Sequence, residues 1–552
     1  MCGICVASST KESPVDLTQF AACLAAIKPR GPDVTTTEVM TIGEQWRGIP
    51  LDDSATQQFI GFTRLHIQGS ALHAPNPSAL HASGGALTSV SGPEQPFHLR
   101  DGSRLVVNGE IFNATLLIQE HALLVNEGAS DCAVIPALLE RGFTLREVAR
   151  LLDGDFAIVH LMTDGSIEVA RDPYGVRPLF YRGNSIASEI KGLLPSEGEK
   201  ETHVVPPGTI VRFKSSLSDP TVERWHEVPW LKNPRLRSFD EAGLALQCAL
   251  DAAVKKRLAT VRGLGACLSG GLDSSLVAAI AAFNLGEYGS PDCPTALNTY
   301  SIGMEGSPDL LASRKVAEHI GSCHHERIIT PDECIAAIPH VIRAIESFDI
   351  TTVRASVGNW LLGKFIAEVT PDVKVVLNGD GSDEILGGYL YMRNAPDAAA
   401  FENEIDRLLT EIHLYDVARS ERCMAAHGLE SRSPFLDRQF VSVARSIPTE
   451  LLVASKARGQ EKRVLRYAYQ GACCGNLPHE ILWRPKEAFS DGISRPEDSW
   501  FKMVKDEAAW YRQIFTENFG PTTATTPKYW MPRWTPGATD PSARTLTDLY
   551  EQ

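Results

Sequence analysis

A seven-residue loop, Ser269-Gly-Gly-Leu-Asp-Ser-Ser275, constrains the fold of this chain more than any other feature of its sequence. The apolar run at 264–268 before it has the length of a buried strand, and the residues from Leu272 onward continue with the spacing of a helix. A strand, loop and helix in this order point backbone N–H groups and the positive end of the helix at an anion. Gly270 and Gly271 let the backbone come close to a phosphate because they have no Cβ. The loop therefore predicts a phosphate-binding site in an α/β domain.

Helical and strand-like patterns alternate on both sides of this loop. They predict a helix over 239–259, strands at 264–268, 299–302 and 373–377, and helices from Leu272 and over 309–320. This order indicates α/β layering around a parallel sheet. Before about residue 215, short apolar runs between Gly, Asp and Asn turns predict a strand-rich domain with one early helix.

The length of the chain requires more than one domain, because 552 residues exceed the roughly 250 to 300 at which a single core stops growing. The stretch at 216–238 contains three prolines and no periodicity, which is typical of a linker. We therefore predict a first domain at 2–215, a linker at 216–238, a second domain at 239–521 and a C-terminal tail at 522–552 packed on the second domain.

The composition argues against several classes of protein. Hydrophobic residues make up 43% and charged residues 22%, which is typical of a soluble globular chain. The net charge of −15 would repel a nucleic-acid backbone, so we expect no nucleic-acid partner. No apolar segment is long enough to cross a membrane and the first residues lack a signal-peptide pattern, so we expect no membrane association and a cytoplasmic location. The 12 cysteines are spread over the chain and do not resemble a zinc site or a disulfide framework.

Cys2 is a candidate nucleophile because of its position. Removal of the initiator Met would place its thiol and a free α-amine on one residue. An α-amine with a reference pKa of about 8 is partly neutral at pH 7 and can take the thiol proton, directly or through water. By position alone, Cys2 also fits the start of an ordinary buried strand.

Two aspartates are candidate ligands for Mg²⁺. Asp273 lies within the phosphate loop, where a carboxylate would repel phosphates unless a cation lay between them. Asp383 follows the predicted strand at 373–377, and ligands of parallel sheets gather at the carboxyl ends of strands. The loop itself resembles the PP-loop of ATP pyrophosphatases, which release pyrophosphate and leave an adenylylated acid.

The first domain resembles the class II, N-terminal-nucleophile glutamine amidotransferases. The resemblance implies an Ntn-hydrolase αββα sandwich, in which the thiolate of the first cysteine attacks the side-chain amide of glutamine and ammonia leaves. The matching segments are Met1-Cys2-Gly3-Ile4, Arg30-Gly-Pro-Asp33, Asn108-Gly-Glu110, Asp131, Arg171-Asp-Pro-Tyr-Gly-Val-Arg-Pro-Leu-Phe180 and Ser188-Glu-Ile-Lys191.

This resemblance also implies roles for individual residues. The Asn108 side chain and the Gly109 N–H would stabilise the oxyanion. Arg64 would pair with the α-carboxylate of glutamine and Asp131 with its α-ammonium. The implied glutamine-binding set is Arg64, Leu65, His66, Ile67, Gln68, Asn108, Gly109, Glu110 and Asp131.

The whole chain resembles the glutamine-hydrolysing asparagine synthetases. The resemblance implies ATP-dependent conversion of L-aspartate to L-asparagine through a β-aspartyl-adenylate, with ammonia from L-glutamine, Mg²⁺ as cofactor, and AMP and pyrophosphate as by-products. The resemblance is also compatible with a homodimer. Further matching segments include Asp349-Ile-Thr-Thr-Val-Arg-Ala-Ser356 and Pro434-Phe-Leu-Asp437. The implied synthetase residues are Leu268, Ser269, Gly270, Gly271, Asp273, Ser274, Ser275, Ile302, Asn378 and Gly379 for ATP, Asp273 and Asp383 for the metal, and Asp380 and Lys486 for catalysis.

One segment of the second domain departs from the family pattern. Where the family has Ser-Gly-Glu-Gly-Ser-Asp-Glu, this chain has Asn378-Gly-Asp-Gly-Ser-Asp-Glu384. Asp380 is one methylene shorter than the glutamate associated with forming the adenylate, and a contact longer by roughly 1 Å can cost about a hundredfold in rate. Adenylylation is therefore expected to be impaired or retuned, unless a local backbone shift compensates. The departure leaves two alternatives open: a specialised amide or lactam synthetase for another acid, and a non-catalytic protein.

Overall fold

A computed structural model describes the chain in two compact units, Met1–Glu227 and Val228–Gly520, with the described part of the C-terminal segment belonging to the second. The residues that it leaves undescribed are 11–12, 43–56, 69–94, 127, 196–200, 215–219, 229, 231–235, 237, 289–295, 454–459, 473, 495–498, 521–529 and 539–552.

The first unit contains two antiparallel sheets in its described residues. In chain order the elements are β1 (Gly3–Ser9), α1 (Leu17–Ala26), β2 (Val34–Thr41), β3 (Gln57–Arg64), β4 (Phe97–His98), β5 (Arg104–Ile111), α2 (Ala114–Glu120), α3 (Val134–Glu140), α4 (Leu145–Leu151), β6 (Gly154–Leu161), β7 (Ile167–Arg171), β8 (Phe180–Arg182), β9 (Ser185–Ala187), β10 (His203–Val204), β11 (Thr209–Phe213) and β12 (Thr221–Arg224). The strand orders of the two sheets are β10-β8-β9-β1-β3-β2 and β12-β11-β7-β6-β5-β4.

An apolar core lies between the two sheets, and helices cover their outer faces. Ile4 of β1 and Val159 of β6 belong to the core between the sheets. On the other face of the first sheet, α1 buries Phe20 and Leu24, while α2, α3 and α4 pack on the second sheet. Strands covered on both faces need apolar residues on both, which is why β1 and β6 are buried along their whole length. The layer order confirms the predicted αββα sandwich.

The turn after α1 lies against the end of β3. A Cβ on Gly31 would lie 2.3 Å from the carbonyl carbon of Thr63, so only glycine fits at this approach. The Asp33 N–H donates to the Arg64 carbonyl oxygen at 3.0 Å, and Asp33 Oδ2 accepts from the His66 N–H at 2.7 Å. The turn therefore lies next to the strand that pairs with β1.

The strand-rich fold continues into the stretch predicted as a linker. Strand β12 pairs antiparallel with β11, and Trp225 stacks on Phe156 with ring centroids 5.9 Å apart. Strand β12 lies at the edge of its sheet and is largely exposed, so its sequence lacks the alternation of apolar and polar residues that identifies a half-buried strand. Residues 216–219, 229, 231–235 and 237 of the predicted linker lie outside the described part.

In the part of the second unit that the structure describes, five strands form one sheet in the order β15-β14-β13-β16-β17, with every pair parallel. This confirms the predicted parallel α/β sheet. In chain order the elements are α5 (Phe239–Lys256), β13 (Gly263–Cys267), α6 (Leu272–Tyr288), β14 (Asn298–Gly303), α7 (Pro308–Ile320), β15 (Cys323–Ile328), α8 (Pro331–Ile345), α9 (Ile350–Val369), β16 (Val373–Leu377), α10 (Ser382–Leu386), α11 (Ala398–Glu411), α12 (Asp416–Ala425), β17 (Glu430–Arg432), α13 (Arg438–Ala444), α14 (Thr449–Leu452), α15 (Arg463–Ala468), α16 (His479–Leu482), α17 (Phe489–Gly492) and α18 (Glu507–Phe519).

The order of the strands brings two distant loops together. Strands β13 and β16 are neighbours, although they are separated in the chain by β14 and β15. Because parallel strands end at the same edge of a sheet, the loop at 269–275 and the loop at 378–383 start side by side. None of the helices in the described residues is long and apolar enough to cross a membrane.

The described part of the C-terminal segment, residues 530–538, contacts the second unit. The Trp530 N–H donates to Asp349 Oδ1 at 2.8 Å. Its ring lies against Tyr389 and Tyr391, with centroid distances of 5.6 and 6.0 Å. The remaining residues of the predicted tail, 522–529 and 539–552, lie outside the described part.

Candidate active sites

Cys2, directly before β1, lies beside Asn108 of β5 in the first unit. The Cys2 N–H donates to Asn108 Oδ1 at 3.0 Å. Asn108 is buried, and its Nδ2 has no hydrogen-bond partner among the described residues. A buried amide without an acceptor is costly, and a ligand oxygen would satisfy it. The pair therefore offers a thiol and a free hydrogen-bond donor in one place.

Arg30 anchors the backbone of the nucleophile. Its Nε donates to the Cys2 carbonyl oxygen at 3.0 Å, and its Nη1 forms an ion pair with Glu189 Oε1 at 2.7 Å. Both charged side chains are buried, and Glu189 also pairs with Lys191 Nζ at 2.5 Å, so the buried charges compensate one another. The sequence identified the motif that contains Arg30, but it did not indicate this contact.

The predicted glutamine-binding residues form a connected group. Gln68 Nε2 donates to Glu110 Oε1 at 2.7 Å, and Arg64 Nη2 donates to the Gln68 carbonyl oxygen at 3.4 Å. Asp131 Oδ2 accepts from the Ile111 N–H at the end of β5, at 2.6 Å. The structure therefore brings the segments 64–68, 108–110 and 131 together at one end of the sandwich.

Three further residues of the predicted glutamine-binding set, Leu65, Ile67 and Gly109, pack against neighbouring parts of the first unit. Leu65 and Ile67 are buried. The backbone at Gly109 runs close to β6, where a Cβ would lie 2.9 Å from the Asp155 carbonyl oxygen. Cys132, which the sequence did not single out, donates its Sγ to the Gly109 carbonyl oxygen at 3.4 Å. Burial and then the charge of Asp131 raise the pKa of the Cys132 thiol well above its ordinary value, so this cysteine stays protonated.

The second unit holds a cavity of about 270 Å³ at the carboxyl ends of β13, β14 and β16. Gly270 and Ser275 do not line it. Gly270 has a φ of +73° and packs on Ala312, so it shapes the turn, and Ser275 is buried in α6. The predicted residues that do line the cavity are Leu268, Ser269, Gly271, Asp273, Ser274, Ile302, Asn378, Gly379, Asp380, Asp383 and Lys486.

Two aspartates and two lysines form a cluster on the wall of this cavity. Lys462 Nζ lies 2.6 Å from Asp273 Oδ2 and 2.6 Å from Asp383 Oδ1, and Lys486 Nζ pairs with Asp383 Oδ2. Burial alone would raise the pKa of Asp383, but the two ammonium charges outweigh it and hold the pKa well below its ordinary value. Burial would likewise lower the pKa of Lys486, but Asp383 and Asp273 raise it. Asp383 and Lys486 are therefore both charged at neutral pH.

The position of Lys462 shows that the two carboxylates face a common point, since one ammonium contacts both. Among the described residues, no three His, Cys, Asp or Glu side chains converge on a metal position. Mg²⁺ bound together with a nucleotide needs only one or two carboxylates, because phosphate oxygens and water complete its shell. Asp273 and Asp383 fit this requirement in number and in donor type.

Asp380, in the same loop as Asp383, has a different partner. Its Oδ1 accepts from Arg419 Nη2 at 2.8 Å, and Arg419 also binds Asp416 Oδ1 at 2.7 Å. Burial raises the pKa of Asp380, and Arg419 opposes this shift. The structure therefore does not bring Asp380 into contact with Lys486, the other residue predicted to act in catalysis.

Comparison with known proteins gives a consistent result for both units. The asparagine synthase family model matches residues 245–406 and 393–530, and a glutamine amidotransferase domain model matches residues 85–195. The glutamine-hydrolysing asparagine synthetase of Gallus gallus is 40% identical over 496 residues, 80% of this chain and 86% of that protein. The chain belongs to the glutamine-hydrolysing asparagine synthetase family.

Other members of the asparagine synthetase family match to a similar extent. The enzymes of Bos taurus and Homo sapiens are 40% and 39% identical over 499 and 497 residues, again 80% of this chain and 86% of each relative. A solved structure of the glutamine phosphoribosylpyrophosphate amidotransferase from B. subtilis is also similar, at 16% sequence identity. The match covers 68% of this chain and 81% of that chain, with a TM-score of 0.27, which indicates no close structural likeness.

The asparagine synthase match spans the whole cavity, including residues that sequence reasoning missed. Lys462 and Arg419 contact three of the predicted site residues. Their partners lie far away in the chain: 189 residues separate Lys462 from Asp273, and 39 separate Arg419 from Asp380. No local pattern distinguishes such residues from the solvated charges that Lys and Arg usually are.

Proposed function

We propose that this chain makes L-asparagine from L-aspartate, with ATP as the activating substrate and L-glutamine as the source of ammonia. The observation that carries the proposal is the cavity of the second unit, where the phosphate loop, two converging carboxylates and a buried lysine meet. Relatives that are about 40% identical over most of their length carry the name of this activity.

In the first unit, Cys2 would hydrolyse glutamine. After removal of Met1, its α-amine would take the thiol proton, and the thiolate would attack the side-chain amide carbon. The unpartnered Asn108 Nδ2 and the Gly109 N–H would donate to the oxyanion, an interaction whose loss costs about 3 kcal/mol. Asn108 Oδ1 already accepts from the Cys2 nitrogen, so the same amide would orient the amine. Proton transfer to the leaving nitrogen releases ammonia, and water then cleaves the thioester.

The segments around Cys2 would recognise the rest of the glutamine. Arg64 would bind the α-carboxylate and Asp131 the α-ammonium, with His66, Gln68 and Glu110 completing the site. The hydrogen bonds that connect these segments support their assignment to one site.

In the second unit, the phosphate loop would bind ATP and Asp380 would assist the attack of the aspartate β-carboxylate on the α-phosphate. This step forms the β-aspartyl-adenylate and releases pyrophosphate, and ammonia then displaces AMP. Asp273 and Asp383 would hold Mg²⁺, which supplies positive charge to the phosphates when it is bound. Lys486 would neutralise charge that develops on the leaving pyrophosphate.

The test is pyrophosphate release with ATP, Mg²⁺ and glutamine, first with aspartate and then with a panel of other carboxylic acids. We expect release that depends on aspartate and is matched by asparagine in the product. Release with another acid but not with aspartate would favour the specialised amide or lactam synthetase. No release with any acid from folded protein would contradict both.

Two further expectations concern assembly and location. We propose a homodimer, which light scattering during size-exclusion chromatography tests through the molar mass. We also propose a cytoplasmic location, which fractionation of cells that make the protein tests.

A further inference from the structure

Asn378 makes a set of hydrogen bonds that no proposed step uses. It follows β16 and is buried. Its Oδ1 accepts from the Asp380 N–H at 3.0 Å and from Ser433 Oγ at 2.8 Å, and its Nδ2 donates to Ser431 Oγ at 2.6 Å. A backbone N–H can only donate, so the atom that faces Asp380 is the amide oxygen. The amide therefore links the backbone of Asp380 to the neighbouring strand β17.

The chain on either side of Asp380 has little freedom to shift. A Cβ on Gly379 would lie 2.7 Å from the Ser274 nitrogen in the phosphate loop. Gly381 has a φ of +97°, and a Cβ there would lie 2.7 Å from Leu436 Cδ2. The backbone of Asp380 is thus held between the phosphate loop and the segment after β17, at a position that the amide hydrogen bond maintains.

At this position the short side chain of Asp380 already reaches its partner. The 2.8 Å contact with Arg419 is an ordinary charge-assisted hydrogen bond. A side chain one methylene longer on the same backbone would carry its carboxylate about 1 Å further, a displacement large enough to change a rate by about a hundredfold. A serine at 378 could still accept from the Asp380 N–H, but hydroxyl turns are weaker than amide turns and one hydroxyl cannot bridge both serines.

We propose that Asn378 is a positioning residue that sets the reach of the Asp380 carboxylate, so that the two residues act as one unit in forming the acyl-adenylate. The inference rests on the proposed function. It also replaces the expectation that the shorter Asp380 impairs the reaction: the asparagine at 378 compensates for the missing methylene at 380.

The experiment compares four full-length proteins: wild type, Asn378→Ser, Asp380→Glu and the double variant. Aspartate-dependent pyrophosphate release is measured with free ammonia, which makes the assay independent of Cys2. We expect each single variant to lower kcat at least tenfold, with the KM for ATP unchanged within twofold. The double variant has the serine and glutamate of the family pattern. Its kcat should be at least tenfold higher than the value obtained by multiplying the effects of the two single substitutions.

Three results would overturn the proposal: kcat of Asn378→Ser within twofold of wild type, an Asp380→Glu variant faster than wild type, or single effects that simply multiply in the double variant. Glutamine hydrolysis and the unfolding temperature of each protein report its folding. If Asn378→Ser does not fold, Ser431→Ala and Ser433→Ala remove the partners of the amide instead, and the same coupling to Asp380→Glu is expected.

Failure of the proposed function has a separate signature, which is a wild-type protein that releases no pyrophosphate with aspartate. The four proteins are then compared with whichever acid of the panel supports release. The coupling between positions 378 and 380 is expected with that acid as well, and its absence would refute the role of Asn378.

Discussion

Replacement of Lys462 by methionine should destabilise the second unit and make its stability depend on Mg²⁺. The Lys462 side chain is 2% exposed and its Nζ contacts both Asp273 and Asp383. Methionine keeps much of the unbranched side chain but removes the charge that both carboxylates share. Breaking a buried ion pair costs about 3 to 5 kcal/mol. Because Asp383 keeps Lys486 as a partner, we expect the lower end, about 3 kcal/mol of unfolding free energy.

A divalent cation would replace the missing charge, since both carboxylates are oxygen ligands of the kind that Mg²⁺ prefers. Millimolar Mg²⁺ should therefore raise the unfolding temperature of Lys462→Met more than that of wild type, by preferential binding to the folded state. Differential scanning calorimetry of the full chain, with and without MgCl₂, measures both effects.

The matched control is Lys315→Met, which removes a lysine that is 58% exposed and pairs with Glu480 at the surface. Exposed ion pairs contribute little to stability, so this variant should unfold like wild type and should not respond to Mg²⁺. The reasoning is refuted if Lys462→Met is as stable as this control, or if Mg²⁺ shifts the two variants equally.

Three other outcomes can be measured independently. Cys2→Ala should abolish asparagine synthesis from glutamine but retain synthesis from free ammonia, and loss of both activities in folded protein would contradict a two-site scheme. Asn108→Ala should lower kcat for glutamine hydrolysis by about a hundredfold to a thousandfold, because an oxyanion donor is lost; a change below fivefold would exclude that role. Burial lowers the pKa of His427 from 6.5 to about 4. Between these two pH values the unfolded chain binds more protons than the folded chain, so the free energy of unfolding decreases as the pH is lowered. We expect a loss of about 2 kcal/mol from pH 7 to pH 5, and urea unfolding of His427→Phe at both pH values should lack this part of the loss.

The sequence predicted those parts of the fold that rest on local patterns. The inner strands β13 and β16 are short, largely apolar runs, and the phosphate loop lies between a strand and a helix, so the order of elements and the parallel sheet followed from the sequence. The edge strand β12 was assigned to a linker because exposed edge strands carry no apolar alternation. A sequence pattern reveals a strand with a buried face, and it does not reveal a strand such as β12 whose side chains are mostly exposed.

The sites show the same division. Cys2, Asp273 and Asp383 stand in motifs whose residues are close in sequence, and the residue types indicate the chemistry. Lys462, Arg419 and the contacts of Asn378 depend on elements that fold together from distant parts of the chain, and a lysine or an asparagine alone does not reveal its partner. The sequence therefore identified the departure at position 378, whereas the structure supplied a reason for it.

The wall that Trp530 contributes to the synthetase cavity has a consequence for protein synthesis. Translation delivers every residue of the proposed glutamine site by Asp131, but it completes the cavity only when Trp530 leaves the ribosome. A nonsense mutation between the two units would yield a polypeptide with the residues that release ammonia and none of those that consume it. Such a fragment would contain the proposed glutamine site without the synthetase cavity, so the order of the two units along the chain decides which of the two sites an incomplete chain can contain.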